Sequence, residues 1–417
     1  MARPSGGNNS TDGVPPSASD QPIVTIRADK QYRIPETRIT DPAPLGRLAQ
    51  QWGYLLRVRS RWACDPDMRQ TIAERAADDL AGVGVSRERL RDLARAHRIE
   101  IELHDWKGDD AKASKIHETA SEIPWEYLIS SGTRAEGRYQ SLLITRLFNN
   151  GLARVTPHPP KSVLFVESAP GRFKDQYEFD DEEGRIRAAV DAPSKQQGDD
   201  GRYWKILPTP QKSELSGYVR DPRQVWEAIH VTGIDTHQAG WCIQDFYADM
   251  KHDKEALFKS LLDPAGRLRD GMILREGPES ELPVLYDDLA ETLVGPTPPR
   301  IVTLNLYYSG ARIARELVKK GAHVALGFLD EIDDQLAELF FQAFYWKWCH
   351  PDKKILSIPD AFLAAWETMP MDSMHGTSIV IWMGRSVFEP GSESIRSVAP
   401  RSSARKKSSP RRRRAAR

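Results

Sequence analysis

Cysteine is nearly missing from this sequence: Cys64, Cys242 and Cys349 are the only three in 417 residues, each more than a hundred residues from the next. That spacing excludes a disulfide framework and a paired zinc motif, and it sets a reducing cytoplasm as the expected compartment. Long apolar runs are missing as well. No stretch approaches the ~20 apolar residues of a bilayer-spanning helix. The opening MARPSGGNNSTDG has no apolar segment of the kind a secretory signal needs. No membrane contact is therefore expected. Net charge is absent too, with 59 Lys and Arg against 59 Asp and Glu.

The zero balance conceals an uneven distribution. From Arg396 to Arg417 there are ten Lys or Arg residues and no acid. Setting those ten aside leaves 49 basic against 59 acidic residues, so a mildly acidic body carries a strongly basic tail. Apolar residues at 40%, charged residues at 28% and eleven tryptophans describe a folded globular protein. Residues 1–22 are rich in Ser, Gly, Pro and Asn and read as a disordered N-terminus, and residues 390–417 read as a disordered basic tail. Between them we expect a strand and helices over 23–120, packed on a main domain over 121–389.

The hydrophobic pattern gives the elements. IVTIR (23–27) and IEIELHDW (99–106) alternate as strands do. Helical spacing covers 44–60, with Leu48, Trp52, Leu55 and Leu56 on one face. It also covers 69–96, broken near Gly82-Val83-Gly84, with Ser86 as N-cap of the second half. Gly82-x-Gly84 lacks a third glycine and follows a helix, so it is no dinucleotide fingerprint. From residue 160 short apolar runs recur at 162–168, 202–208, 227–233, 272–276, 300–306, 323–328 and 378–384. Several are almost continuous Val, Ile and Leu, as strands buried on both faces require. Helical segments lie between them at 178–190, 284–294, 309–320, 333–348 and 359–367. The alternation predicts an α/β fold, a mostly parallel sheet with helices on both faces.

IPWEYL (123–128), SLLITRLF (141–148) with Arg146, VLFVESAPGR (163–172), His230-Val231-Thr232-Gly233 and LNLYYSGARIARELVKKGAHVALGFLDEIDD (304–334) occur in that order. Together they resemble CHAT domains, relatives of caspases and separases, over roughly residues 43–389. The resemblance implies a caspase-like three-layer αβα sandwich plus a helical N-terminal part, with no cofactor. It also implies a place in bacterial conflict systems, where such domains are effectors or regulators.

A cysteine peptidase of this kind needs a thiol at a strand end, an imidazole to take its proton, and backbone N–H groups for the oxyanion. The family carries these as His-x-x-Gly-His and Asn-x-Cys-x-Ser-Gly. Here Ile234 stands where the general base belongs and Tyr307 where the thiol belongs, within Asn305-Leu306-Tyr307-Tyr308-Ser309-Gly310. A phenol of ordinary pKa near ~10 is a poor acyl-transfer nucleophile at neutral pH. A pseudo-peptidase that binds a protein or peptide partner is the expectation. Rescue would need His230, His237 or Cys242: His237 as a displaced base paired with Cys242, or else a solvated loop residue beside an apolar filler. Ser309 is either a stand-in nucleophile or the cap of the next helix. His230, His237, Cys242 and His252 match no zinc spacing, so no metal is expected.

Tyr308, Ser309, Asp333 and Asp334 are expected to form the floor and rim of a peptide cleft. The acidic run Asp330, Glu331, Asp333, Asp334 either shapes that mouth or occupies a helix N-terminus, where the dipole stabilises acids. Arg172 is a further edge candidate, and Trp125 reads as a core anchor. The tail, with Arg405, Lys406, Lys407, Arg411, Arg412, Arg413 and Arg414, offers phosphates or an acidic partner a counterion-releasing surface. It has no aromatic residue on which bases would stack. The competing readings are therefore an active endopeptidase with a relocated pair and a nucleic-acid-associated adaptor.

Overall fold

The computed structural model describes residues 21–29, 34–58, 66–106, 111–135, 143–152, 157–176, 179–197, 203–246, 253–278, 280–350, 355–369 and 378–388. Residues 1–20, the basic tail and His252 lie outside the described residues. The strands are β1 (Val24–Ala28), β2 (Thr37–Ile39), β3 (Arg98–Leu103), β4 (Leu143–Leu147), β5 (Ser162–Ser168) and β6 (Tyr203–Pro208). They continue with β7 (Ala228–Gly233), β8 (Gly271–Gly277), β9 (Ser280–Leu285), β10 (Ile301–Asn305), β11 (Val324–Phe328) and β12 (Ile379–Met383).

Ten of them form one sheet in the order β2-β1-β3-β4-β12-β11-β10-β7-β5-β6. The run from β11 through β10, β7 and β5 to β6 is parallel throughout. β12 turns antiparallel to β11, β4 and β3 continue parallel to β12, and β1 with β2 closes the edge antiparallel. The expected runs recur within a residue or two of these bounds, save that 99–106 ends three residues early, at Leu103. The exception in placement is 272–276, which leaves the main sheet: β8 forms an antiparallel hairpin with β9 and touches the rest of the chain through isolated bridges to Gln211 and Asp235.

Helices cover both faces. α1 (Ala43–Val58), α2 (Pro66–Ala81), α3 (Arg87–Leu93), α4 (Ala111–Glu122) and α5 (Trp125–Ala135) belong to the N-terminal third. α6 (Asp180–Gln197), α7 (Lys212–Arg220), α8 (Thr236–Phe246) and α9 (Asp253–Leu261) follow, then α10 (Tyr286–Leu293), α11 (Arg312–Lys320), α12 (Asp334–Cys349) and α13 (Ile358–Trp366). Alternate strand residues feed two cores: Leu164, Val166, Ile229, Val231, Val302 and Leu304 meet α10 and α11, and Val163, Phe165, Ile301, Leu326 and Phe328 meet α12 and α13. This is a three-layer α/β/α arrangement.

Local signals explain most boundaries. Ser86 caps α3 by accepting the Arg89 N–H at 3.2 Å, as its position predicts. α11 buries Ile313, Ala314, Leu317 and Val318 and stops at Gly321, where φ is 124°. Two readings change. Helical spacing over 333–348 predicts a stripe of Leu336, Leu339, Phe340, Ala343, Phe344 and Lys347; of these Phe340 and Phe344 are buried, joined by Ala337, Phe341, Tyr345 and Trp348, while Leu339 is exposed. The segment 234–270, whose length in the sequence exceeds an ordinary connection, carries two helices, α8 and α9. Asp235 accepts the N–H groups of His237 and Gln238 at 2.7 and 2.9 Å, and Gln238 Oε1 accepts the Asp235 N–H at 3.2 Å. That is a reciprocal capping box.

Candidate functional site

A cleft of about 740 Å³ opens at the C-terminal ends of the parallel strands, lined by His237 after β7, Tyr308 after β10, and Leu329 and Glu331 after β11. Ligand sites of parallel α/β sheets form at these ends. α1 contributes Ala49 and Gly53 to the wall, and the end of α4 contributes Glu122.

The position where the CHAT resemblance implies a general base is sealed. Gly233 at the end of β7 lies so close to β5 that a Cβ would sit 2.4 Å from the Ser168 carbonyl oxygen. Only glycine fits there. The next residue, Ile234, donates its N–H to that same oxygen at 2.9 Å and accepts from the Ile273 N–H at 2.9 Å. Its side chain is fully buried with Ala169, Phe173, Ala239 and Ile273.

The position where the resemblance implies a thiol carries two phenols. Tyr307 donates its hydroxyl to Asp334 at 3.1 Å, and Tyr308 donates its own to Glu331 at 3.0 Å. Tyr308 holds φ at 56°, a left-handed conformation that costs a non-glycine residue energy and recurs at functional sites. Its ring lies against His237, centroids 4.3 Å apart, and Trp241 flanks both His237 and Tyr307 at 6.3 Å.

Asp235 sits behind these rings, fully buried. Its Oδ1 caps α8, and its Oδ2 accepts the Tyr307 N–H at 3.2 Å. Burial pushes its carboxyl up to about 6, opposed by the nearby His237 and by the three backbone N–H groups.

The rescue candidates do not meet. His230 is fully buried within β7, one ring nitrogen 2.7 Å from Thr303 Oγ1 and the other 2.9 Å from Glu182. It is a link in a buried chain in which Asn305 donates to Glu182 at 2.9 Å, and Thr303 bonds Tyr345 at 2.9 Å. His237 is not a loop residue. It stands in the first turn of α8, with Nε2 3.0 Å from Asp270 Oδ1. Cys242 follows five residues later, about 140° around the helix, packed against the cluster that holds Ile234.

Ser309 is buried and therefore neither lines the cleft nor attacks anything. It donates to the Leu306 carbonyl at 2.7 Å and accepts the Phe328 N–H at 3.1 Å, pinning the β10 turn to β11. α11 begins three residues later, with Ala311 at its N-cap, so Ser309 is not that cap either. Asp333 caps α12 through the Leu336 N–H at 3.0 Å. Burial raises the Asp334 carboxyl above its ordinary range.

Glu182, Asp235, Asp270 and Arg312 carry much of the site's polar structure and were not singled out from the sequence. Asp235 had a local signal, the Asp-x-x-Gln box. Glu182 had none, because its partners His230 and Asn305 are 48 and 123 residues away. Farther off, Arg146 donates to both oxygens of Glu126 at 2.7 Å and to the carbonyls of Ser121 and Ile123. Trp125 is fully buried beside this clamp.

No protein-family model matches the sequence, and no curated protein does. Among solved structures the chain is similar to two of the Saccharomyces cerevisiae separase–securin complex, at 11% and 12% identity with TM-scores of 0.32 and 0.34. Each match covers 64% of this chain and 15% of that chain, so the likeness spans a small part of much longer chains.

Proposed function

We propose that this protein is a non-catalytic caspase-like protein, of the CHAT type its motifs resemble, whose cleft holds a polypeptide without cutting it. The observation that carries this reading is the Asp235 carboxylate on the Tyr307 backbone N–H. Acyl transfer needs such an N–H aimed at the developing oxyanion. Here the donor at the nucleophile position is already taken by a negatively charged group, which would repel a second anion. The side chains agree: an isoleucine sealed in an apolar cluster and a phenol tied to Asp334 stand where a base and a thiol would act. The cleft itself is kept, and its rings and left-handed Tyr308 suit it to a ligand. A regulatory or partner-binding role in a bacterial conflict system follows from the CHAT resemblance.

The test is turnover. The full chain, incubated with fluorogenic peptides bearing acidic, basic or apolar residues before the scissile bond, is expected to release no fluorophore above a heat-denatured control. Hydrolysis that vanishes in Cys242→Ala or His237→Ala would overturn the reading.

A further inference from the structure

Most charges on the cleft wall are already matched. Arg312 pairs with Glu122 and lies 3.8 Å from Asp270, which also bonds His237. Arg267 pairs with Asp263 at 3.0 Å. The rim acids are answered too: Tyr308 donates to Glu331, Tyr307 donates to Asp334, and Asp333 is spent capping α12. Arg269 differs. It lines the same cleft, half-buried, and has no acidic or carbonyl partner for its side chain among the described residues. Its backbone is held on both sides: its N–H donates to the Leu261 carbonyl at 2.9 Å, and its carbonyl accepts the Thr236 hydroxyl at 2.5 Å.

The guanidinium nitrogens of Arg269 remain open to water in the cleft and can exchange that water for a ligand. The planar fork of a guanidinium matches the two oxygens of a carboxylate. Resting on the polypeptide-binding reading above, we propose that Arg269 anchors a carboxylate of the bound segment, so that the cleft selects acidic over basic peptides. The rings of His237, Tyr308 and Trp241 then take an apolar or aromatic side chain beside it. This runs opposite to what the acidic run suggests in the sequence, because Glu331 and Asp334 accept from phenols and Asp333 caps a helix, whereas Arg269 has no such partner among the described residues. The carboxylate has two sources with the same chemistry, an Asp or Glu side chain and a free chain terminus.

A randomised dodecapeptide pool is panned against the full chain, and the enriched peptides are remade with Glu→Gln, with Glu→Lys and with an amidated terminus. Their binding is read by fluorescence anisotropy. We expect enrichment of acid-bearing peptides and a loss of about tenfold or more for the substitution that removes the anchored carboxylate. Loss with Gln identifies a side chain, and loss with the amide identifies the terminus. Arg269→Gln is expected to erase the preference, and Arg269→Glu to move it toward Lys. Arg269→Lys, which keeps the charge without the fork, should weaken binding but preserve the preference. Circular dichroism checks that each variant stays folded. Binding that Tyr308→Ala removes but that ignores peptide charge overturns the Arg269 assignment and leaves the cleft reading standing. Failure of the pool to enrich any peptide overturns both.

Discussion

At the scale of single residues, Asp235 is the buried carboxyl that ties the start of α8 to the Tyr307 backbone. A carboxyl whose pKa is higher folded than unfolded holds its proton more tightly in the folded state. Its contribution to stability is complete below its ordinary value of 3.8 and is lost as pH rises through about 6. The rise corresponds to about 3 kcal/mol. Asp235→Asn keeps an acceptor for the α8 cap and cannot ionise. The stability difference between wild type and variant, measured by urea unfolding, should therefore shrink by about that amount between pH 4 and pH 7. Equal pH slopes in the two proteins would refute the assignment. The residue also marks what a sequence yields. Ile234 and Tyr307 stand out because the CHAT resemblance implies where a base and a thiol belong. Asp235 is equally visible as the first member of Asp-x-x-Gln but draws no notice as a helix cap. Glu182 and Asp270 are invisible, since nothing within a helical turn of either one points to the histidine it meets.

At the scale of elements, the turn from β10 into α11 is held by packing that only glycine allows. Gly310 donates its N–H to the Phe328 carbonyl at 2.6 Å and accepts the Trp382 indole N–H at 2.6 Å, lashing the turn to β11 and β12. A Cβ there would lie 2.7 Å from a methyl of Val380 and 2.9 Å from the Phe328 carbonyl carbon. Backbone of a central strand cannot yield as a side chain does. Gly310→Ala is expected to cost about 3 kcal/mol in urea unfolding. It should also displace Tyr308 and so weaken peptide binding. Gly217→Ala in α7, where nothing lies within 4 Å of the new methyl, should instead stabilise by about 0.5–1 kcal/mol. Near-equal effects of the two would show that the turn is not tightly packed. The Ser-Gly pair is thus a structural fastening, and that role accounts for the Ser-Gly part of the pattern without any catalysis. The faces of helices were less legible. In α12 so many residues are apolar that two stripes compete, and only the packing of Phe340, Phe341, Phe344 and Tyr345 against the sheet chooses between them.

At the scale of the whole molecule, composition and period suggest an N-terminal part packed on a main domain, but the sheet joins them more closely. β3 pairs with β4 from Arg98↔Leu143 to Glu102↔Leu147, and one apolar cluster runs from Val24 in β1 to Trp382 in β12. Arg98 meets Asp360 at 2.5 Å, and Asp105 is shared by Arg315 and Lys319 at 2.8 and 3.2 Å. Glu100 accepts from Ser386 and Val387 beyond β12 at 2.9 and 2.8 Å. These contacts join residues that the sequence places more than two hundred positions apart, which is why no local pattern reveals them. We therefore propose that residues 23–120 and 121–389 form one folding unit. A chain beginning at residue 121 would leave β4 as a bare edge and strip the cover from Trp125 and Leu128, both fully buried in the intact protein. It would also remove Ala49 and Gly53 from the cleft wall. Such a chain is expected to aggregate or to lose near-ultraviolet circular dichroism. The full chain should unfold in urea with tryptophan fluorescence and far-ultraviolet signals coinciding. A truncated chain that stays monomeric and unfolds cooperatively would show instead that the N-terminal strands decorate a self-sufficient core. In that case the cleft would have to be completed by other means, and the peptide preference set by Arg269 should survive the truncation.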